Sequence, residues 1–68
     1  MNDLEHRLVI DIEHEYKANA PFEQFQQSYF MYKRCVNTLF TLNKYYDVVL
    51  ERKMDTLYQR KLLEQYKK

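Results

Sequence analysis

A chain of 68 residues has room for one domain and buries only about 60% of its unfolded surface, so its stability rests on close packing or on a partner. Hydrophobic residues make up 46% and aromatics 16%, with seven tyrosines and four phenylalanines, which excludes a disordered tail of low hydrophobicity. The net charge of +1 excludes a strong general field for nucleic acid, and the absence of glycine leaves no easy phosphate loop, tight hairpin or glycine cap, so an all-α fold is predicted.

The first predicted helix covers about residues 3–17. Asn2 followed by Glu5 has the form of a capping box with Asn in place of Ser or Thr. Met1, Leu4, Leu8, Ile12 and Tyr16 then recur at steps of three or four. Val9 joins this stripe and Ile10 is left on the opposite face. A turn follows over residues 18–21, because Ala20, preceding proline, is pushed out of the helical region while Pro21 suits the first helical position.

The second helix starts at Pro21, with Glu23 near the positive end of its dipole. Phe22, Phe25, Tyr29, Tyr32, Val36, Leu39, Asn43, Tyr46 and Leu50 fall at alternating three- and four-residue steps, a heptad seam with one polar position. A second line, Met31, Cys35, Leu42, Tyr45 and Val49, lies about a quarter-turn or more around the same cylinder. Two apolar faces require two neighbours, and the first helix supplies only one of them.

After Leu50 the pattern changes phase. Lys53 stands where the heptad wants an apolar residue, and Met54, Tyr58, Leu62 and Tyr66 continue at four-residue steps. In one architecture Asn43 ends the second helix and Asp47 caps a third over about residues 47–66, giving a small three-helix bundle. In the other, a helical hairpin, the second helix runs on to about Tyr66 as a rod roughly 70 Å long, far more than the first helix covers. With no glycine or proline at the break, the unbroken rod is the expectation, and it implies oligomerisation.

Charge is unevenly placed. Asp3, Glu5, Asp11, Glu13 and Glu15 outweigh Arg7 and Lys17 in the first 20 residues, while the two later segments are each mildly basic. Such complementarity orients helices against one another or marks a partner patch. Lys33, Arg34, Lys44, Arg52, Lys53, Arg60, Lys61, Lys67 and Lys68 raise nucleic acid as a second class, but Glu51, Asp55 and Glu64 interrupt them.

Candidate chemistry is sparse. His6 and His14 are eight residues apart, about 12 Å along a helix and too far to share one ion unaided, so no metal site is predicted. Cys35 follows Lys33-Arg34 but lies on the shoulder of the seam, where it reads as a packed hydrophobe, with a disulfide across a dimer as the alternative. A glycine-free set of two or three helices offers little concavity for a nucleophile and its base or for a cofactor, so no enzyme and no cofactor are predicted. The lone cysteine, the acidic opening and the lack of an apolar run of about 18 residues point to a cytoplasmic protein without a membrane span.

The layout of a short acidic helix, a proline-led turn and a longer apolar helix, with Pro21-Phe22-Glu23-Gln24-Phe25-Gln26-Gln27 opening that second helix, resembles the small helical-hairpin co-chaperones of type III secretion needle subunits. The likeness covers about half the chain and departs from the family in a longer charged C-terminus; it implies a chaperone-like partner role. Read from the residues alone, the chain is a non-catalytic helical protein–protein interaction module, an adaptor, inhibitor or chaperone-like subunit, predicted to form a homodimer, with a small dimeric nucleic-acid-binding regulator as the alternative. The expected partner interface is Met31, Leu42, Tyr45, Val49, Met54, Tyr58, Leu62 and Tyr66, since tyrosine-rich faces suit interfaces. The expected intramolecular core is Leu4, Leu8, Ile12, Tyr16, Phe25, Tyr29, Tyr32, Val36 and Leu39. On that assignment Tyr58→Ala weakens association and leaves the monomer intact.

Overall fold

In the computed structural model of the chain, Asn19 fills the place that glycine takes at many helix ends. α1 (Asp3–Lys17) closes with Asn19 N–H on the Tyr16 carbonyl at 3.3 Å and Ala20 N–H on the Glu15 carbonyl at 3.0 Å, a Schellman-type cap. Asn19 itself has φ 56°, the left-handed region that asparagine tolerates better than most residues with a β-carbon. Pro21 then stands one position earlier than expected, as the N-cap of α2 (Phe22–Thr41) with φ −53° and ψ 140°. The structure describes residues 3–42 and 47–67; the readings placed on Met1, Asn2, Asn43, Tyr45 and Tyr46 lie outside the described residues.

The expected unbroken rod is not what forms. α2 ends at Thr41, with Leu42 N–H on the Thr38 carbonyl at 3.0 Å. α3 (Val48–Tyr66) starts afresh behind Asp47, whose backbone is extended and whose Oδ1 accepts from Leu50 N–H at 3.1 Å. A carboxylate there satisfies an otherwise orphan N–H and favours the positive end of the new helix. The fold-back also lets Met54 and Tyr58 cover the apolar face of α2, which a rod would leave to water. The result is an all-α three-helix bundle of 40 × 17 × 17 Å.

The core lies where the three helices meet. Leu8, Val9 and Ile12 of α1 pack on Phe25, Tyr29, Tyr32 and Val36 of α2 and on Met54 and Tyr58 of α3. Leu39 is buried as well, and Tyr16 packs half-buried against the cluster. Tyr58 is its hub: its ring stacks on Tyr29 at 4.1 Å between centroids and 10° between planes, and lies 5.9–6.3 Å from Phe22, Phe25 and Phe30.

Two parts of the residue assignment are corrected by this packing. Met54 is fully buried, Tyr58 is 9% exposed and Leu62 packs half-buried against the core, so three residues expected at a partner interface fill the interior instead. They exchanged roles because the chain turns back at residue 47 and supplies its own second neighbour for α2. Leu4, expected inside, is 54% exposed, while Glu5 is fully buried. One residue is about 100° of helix, and α3 docks on the Glu5 side of α1.

Candidate protein-docking surface

Of the residues expected at an interface, Met31, Leu42, Val49 and Tyr66 are 57%, 58%, 73% and 79% exposed, and Tyr45 lies outside the described residues. The structure divides them between two faces. Met31 joins Leu4, Leu8, Arg34, Cys35 and Thr38 in a groove of about 250 Å³ between α1 and α2. A second groove of similar size, lined by Asn37, Thr38, Thr41 and Leu42, continues it through the shared Thr38. Val49 belongs to α3, whose Met54 and Tyr58 point into the core; five residues of helix separate Val49 from Met54, about 140° around the axis.

The α1–α2 groove follows from helix spacing. Met31, Cys35, Thr38 and Leu42 are four, three and four residues apart, one edge of α2. Leu4 and Leu8 form the facing edge of α1. At the other end of the same edge Glu15 accepts hydrogen bonds from Gln24 Nε2 at 3.2 Å and Ser28 Oγ at 3.0 Å, which hold the two helices in register. Cys35 is half-buried here; burial, and then the Glu5 carboxylate, push its thiol above the ordinary cysteine range, the opposite of what a reactive thiolate needs.

Between α2 and α3 the polar groups are already engaged with each other. Lys33 Nζ donates to Glu51 Oε2 at 2.5 Å and to Asp55 Oδ1 at 3.3 Å, while Tyr29 Oη donates to the same Asp55 oxygen at 2.7 Å. Burial alone would lower the Lys33 ammonium, but its bonds to Glu51 and Asp55 outweigh that and hold it above the ordinary lysine value. Burial and the Asp55 bond also raise the Tyr29 hydroxyl well above an ordinary tyrosine. Gln26 Nε2 donates to Tyr58 Oη at 3.2 Å. The tyrosine hydroxyls here lock one helix to the next.

Three residues gained a role that periodicity did not signal. Lys61, counted in sequence among the cations that raise nucleic acid as a class, is 6% exposed; its Nζ donates to Asn19 Oδ1 at 2.7 Å and lies 5.2 Å from the centroid of the Tyr16 ring. It thereby ties α3 to the cap of α1, which gives Asn19 a second task. Glu5 is fully buried, and neither carboxylate oxygen has a hydrogen-bond partner among the described residues. Burial, then the nearby Asp47 carboxylate, raise its pKa above that of an ordinary glutamate. An acid in the first turn, read from sequence as a cap partner, gave no hint of this.

The groove between α1 and α3, lined by Glu13, Tyr16, Lys17, Lys53 and Leu57, has about 340 Å³ and opens to solvent, whereas ligand pockets enclose most of what they bind. Among the described residues no group of three or more His, Cys, Asp and Glu is placed to hold a metal ion, and no helix is long and apolar enough to cross a membrane. No protein-family model, curated protein or solved structure matches the chain.

Proposed function

We propose that the chain is a non-catalytic protein–protein interaction module of the adaptor, inhibitor or chaperone-like kind, acting in a reducing aqueous compartment, and that it associates with a second copy of itself through the α1–α2 groove. The observation that carries this reading is the line of Leu4, Met31 and Leu42, each more than half exposed along one edge of a bundle whose core is already filled. Large apolar side chains grouped beside a packed core mark contact surfaces. Arg34 stands in the groove wall and Asp11, three residues after Leu8 on α1, is exposed, so a second copy can set opposite signs against each other.

Three half-exposed side chains and their rim cover well under the roughly 800 Å² per partner of a stable complex, which assigns the contact to the weak, concentration-dependent class. A chaperone-like subunit that offers this groove to another helix instead belongs to the same reading and agrees with the resemblance to needle-subunit co-chaperones. The nucleic-acid alternative has less support, since Lys33 and Lys61 are engaged within the chain.

Sedimentation across a wide concentration range tests the proposal. Wild type is expected to move from monomer to dimer as concentration rises, and Met31→Asp to remain monomeric with unchanged far-ultraviolet circular dichroism. A variant that dimerises like wild type, or a wild type that stays monomeric at millimolar concentration, would refute self-association through this groove.

A further inference from the structure

Folding sorts the charges of α3 in a way its sequence conceals. Glu51 and Asp55 are drawn against α2 by Lys33, with side chains 15% and 39% exposed. Glu64 lies 3.7 Å from Lys61 at the edge of the helix. Besides Glu64, whose side chain stays 57% exposed, α3 leaves to solvent a row of cations beside a line of Val49, Thr56 and Leu63. Val49, Thr56 and Leu63 are spaced seven residues apart, and all three are exposed. Lys53, Arg60 and Lys67, also exposed, repeat at the same interval, each four residues after a member of the first row, with Lys53 shared at 3.5 Å with Glu13 of α1. Both rows rise about 10 Å per repeat and together run about 27 Å along α3.

We propose that this outer face of α3 docks an acidic amphipathic helix of another protein, one with aliphatic residues at heptad spacing and Glu or Asp flanking them. This rests on the reading of the chain as an interaction module and names the chemistry of a partner beyond the second copy. Val49 and Leu63, with Thr56 between them and cations beside them at seven-residue intervals, offer a partner helix burial from the aliphatic pair and a choice of partner from the charged row, the division of labour of a coiled-coil contact.

The sign of the flanking row selects against self-pairing. Two copies of α3 laid antiparallel set Lys53, Arg60 and Lys67 against the same cations. Laid parallel, they set them against Val48, Asp55 and Leu62, of which Asp55 is held by Tyr29 and Lys33 and Leu62 packs against the core. Like charges in register disfavour an association, so the occupant brings acids of its own. Nucleic acid fits less well. A phosphate backbone leaves the exposed Val49 and Leu63 unused.

The test uses the full chain and a dye-labelled synthetic helix of four heptads, with Leu at the two seam positions and Glu at the two flanking ones, whose own charges oppose self-pairing. A matched peptide with Lys in place of Glu and a short DNA duplex are the comparison probes, all followed by fluorescence anisotropy at moderate salt. The acidic peptide is expected to bind and gain helicity, with affinity reduced at least tenfold by Arg60→Glu with Lys67→Glu and by Leu63→Ser. All three substitutions fall at exposed positions, and unchanged circular dichroism of the free variants confirms that they fold. Equal binding of the acidic and basic peptides, insensitivity to Leu63→Ser, or binding of the duplex in preference to the peptide would overturn the proposal. Met31→Asp is expected to leave peptide binding intact. Self-association thus reports on the α1–α2 groove and peptide binding on α3, and failure of one is distinguishable from failure of the other.

Discussion

Replacing Tyr58 with alanine separates a core role from an interface role, and the structure sets the expected size of the effect. Tyr58 is 9% exposed, stacks on Tyr29, lies within 6.3 Å of three phenylalanine rings and accepts a hydrogen bond from Gln26. Truncating a buried aromatic to alanine costs about 3–5 kcal/mol, with the spread set by how far the site collapses. A chain of this length has a total stability of roughly 3–10 kcal/mol. Tyr58→Ala therefore removes from about a third to all of the stability. Urea unfolding followed by circular dichroism at 222 nm is the assay. The midpoint of Tyr58→Ala is expected to fall steeply or the transition to vanish, while Tyr66→Ala, at a position 79% exposed, stays within about 0.5 kcal/mol of wild type. If Tyr58→Ala keeps the wild-type midpoint and loses only self-association, the placement of α3 inside the bundle is wrong.

Glu5→Met is expected to stabilise the fold at pH 7 by about 1–3 kcal/mol, the desolvation cost of a buried unpaired polar group. The folded-state pKa of Glu5 is raised, so its proton is held more tightly in the folded than in the unfolded chain. Its contribution is fully present below the unfolded value of about 4.5 and is lost as pH rises through the folded value; the advantage of Glu5→Met in urea melts therefore widens from pH 4.5 to pH 7, and a constant difference would contradict the burial of an ionisable carboxyl. At the α1 cap, Asn19→Gly keeps the left-handed backbone and loses only the Lys61 bond, whereas Asn19→Ala loses both. Thermal melts are expected to rank wild type above Asn19→Gly and Asn19→Gly above Asn19→Ala, the latter two separated by about 1 kcal/mol; equal melting of the two variants would remove the backbone contribution.

The helical class, the turn before Pro21 and the apolar seam of α2 were legible in sequence because each depends on local chemistry: absent glycine, proline's fixed φ and a repeat matched to the helix period. Asp47 was legible as a cap but not as the decisive one. Whether a helix continues past a permissible stop depends on what the next segment gains by turning back, and that gain lies in contacts between Tyr58 and residues about 30 positions earlier. The same fold-back turned Met54, Tyr58 and Leu62 from exposed to interior and left Met31, Leu42 and Val49 outside.

Sequence by itself determined which residues share a side of each helix, since 100° per residue is a property of the backbone. Only the tertiary structure decided which side each helix turns inward, because that is fixed by the neighbour it meets. Hence Glu5 is enclosed while Leu4 is not, Lys61 is drawn onto Asn19, and Glu51 and Asp55 of α3 are held by Lys33. The cationic outer strip of α3 is what remains after those pairings, and pairings between distant parts of the chain are not written in any local pattern.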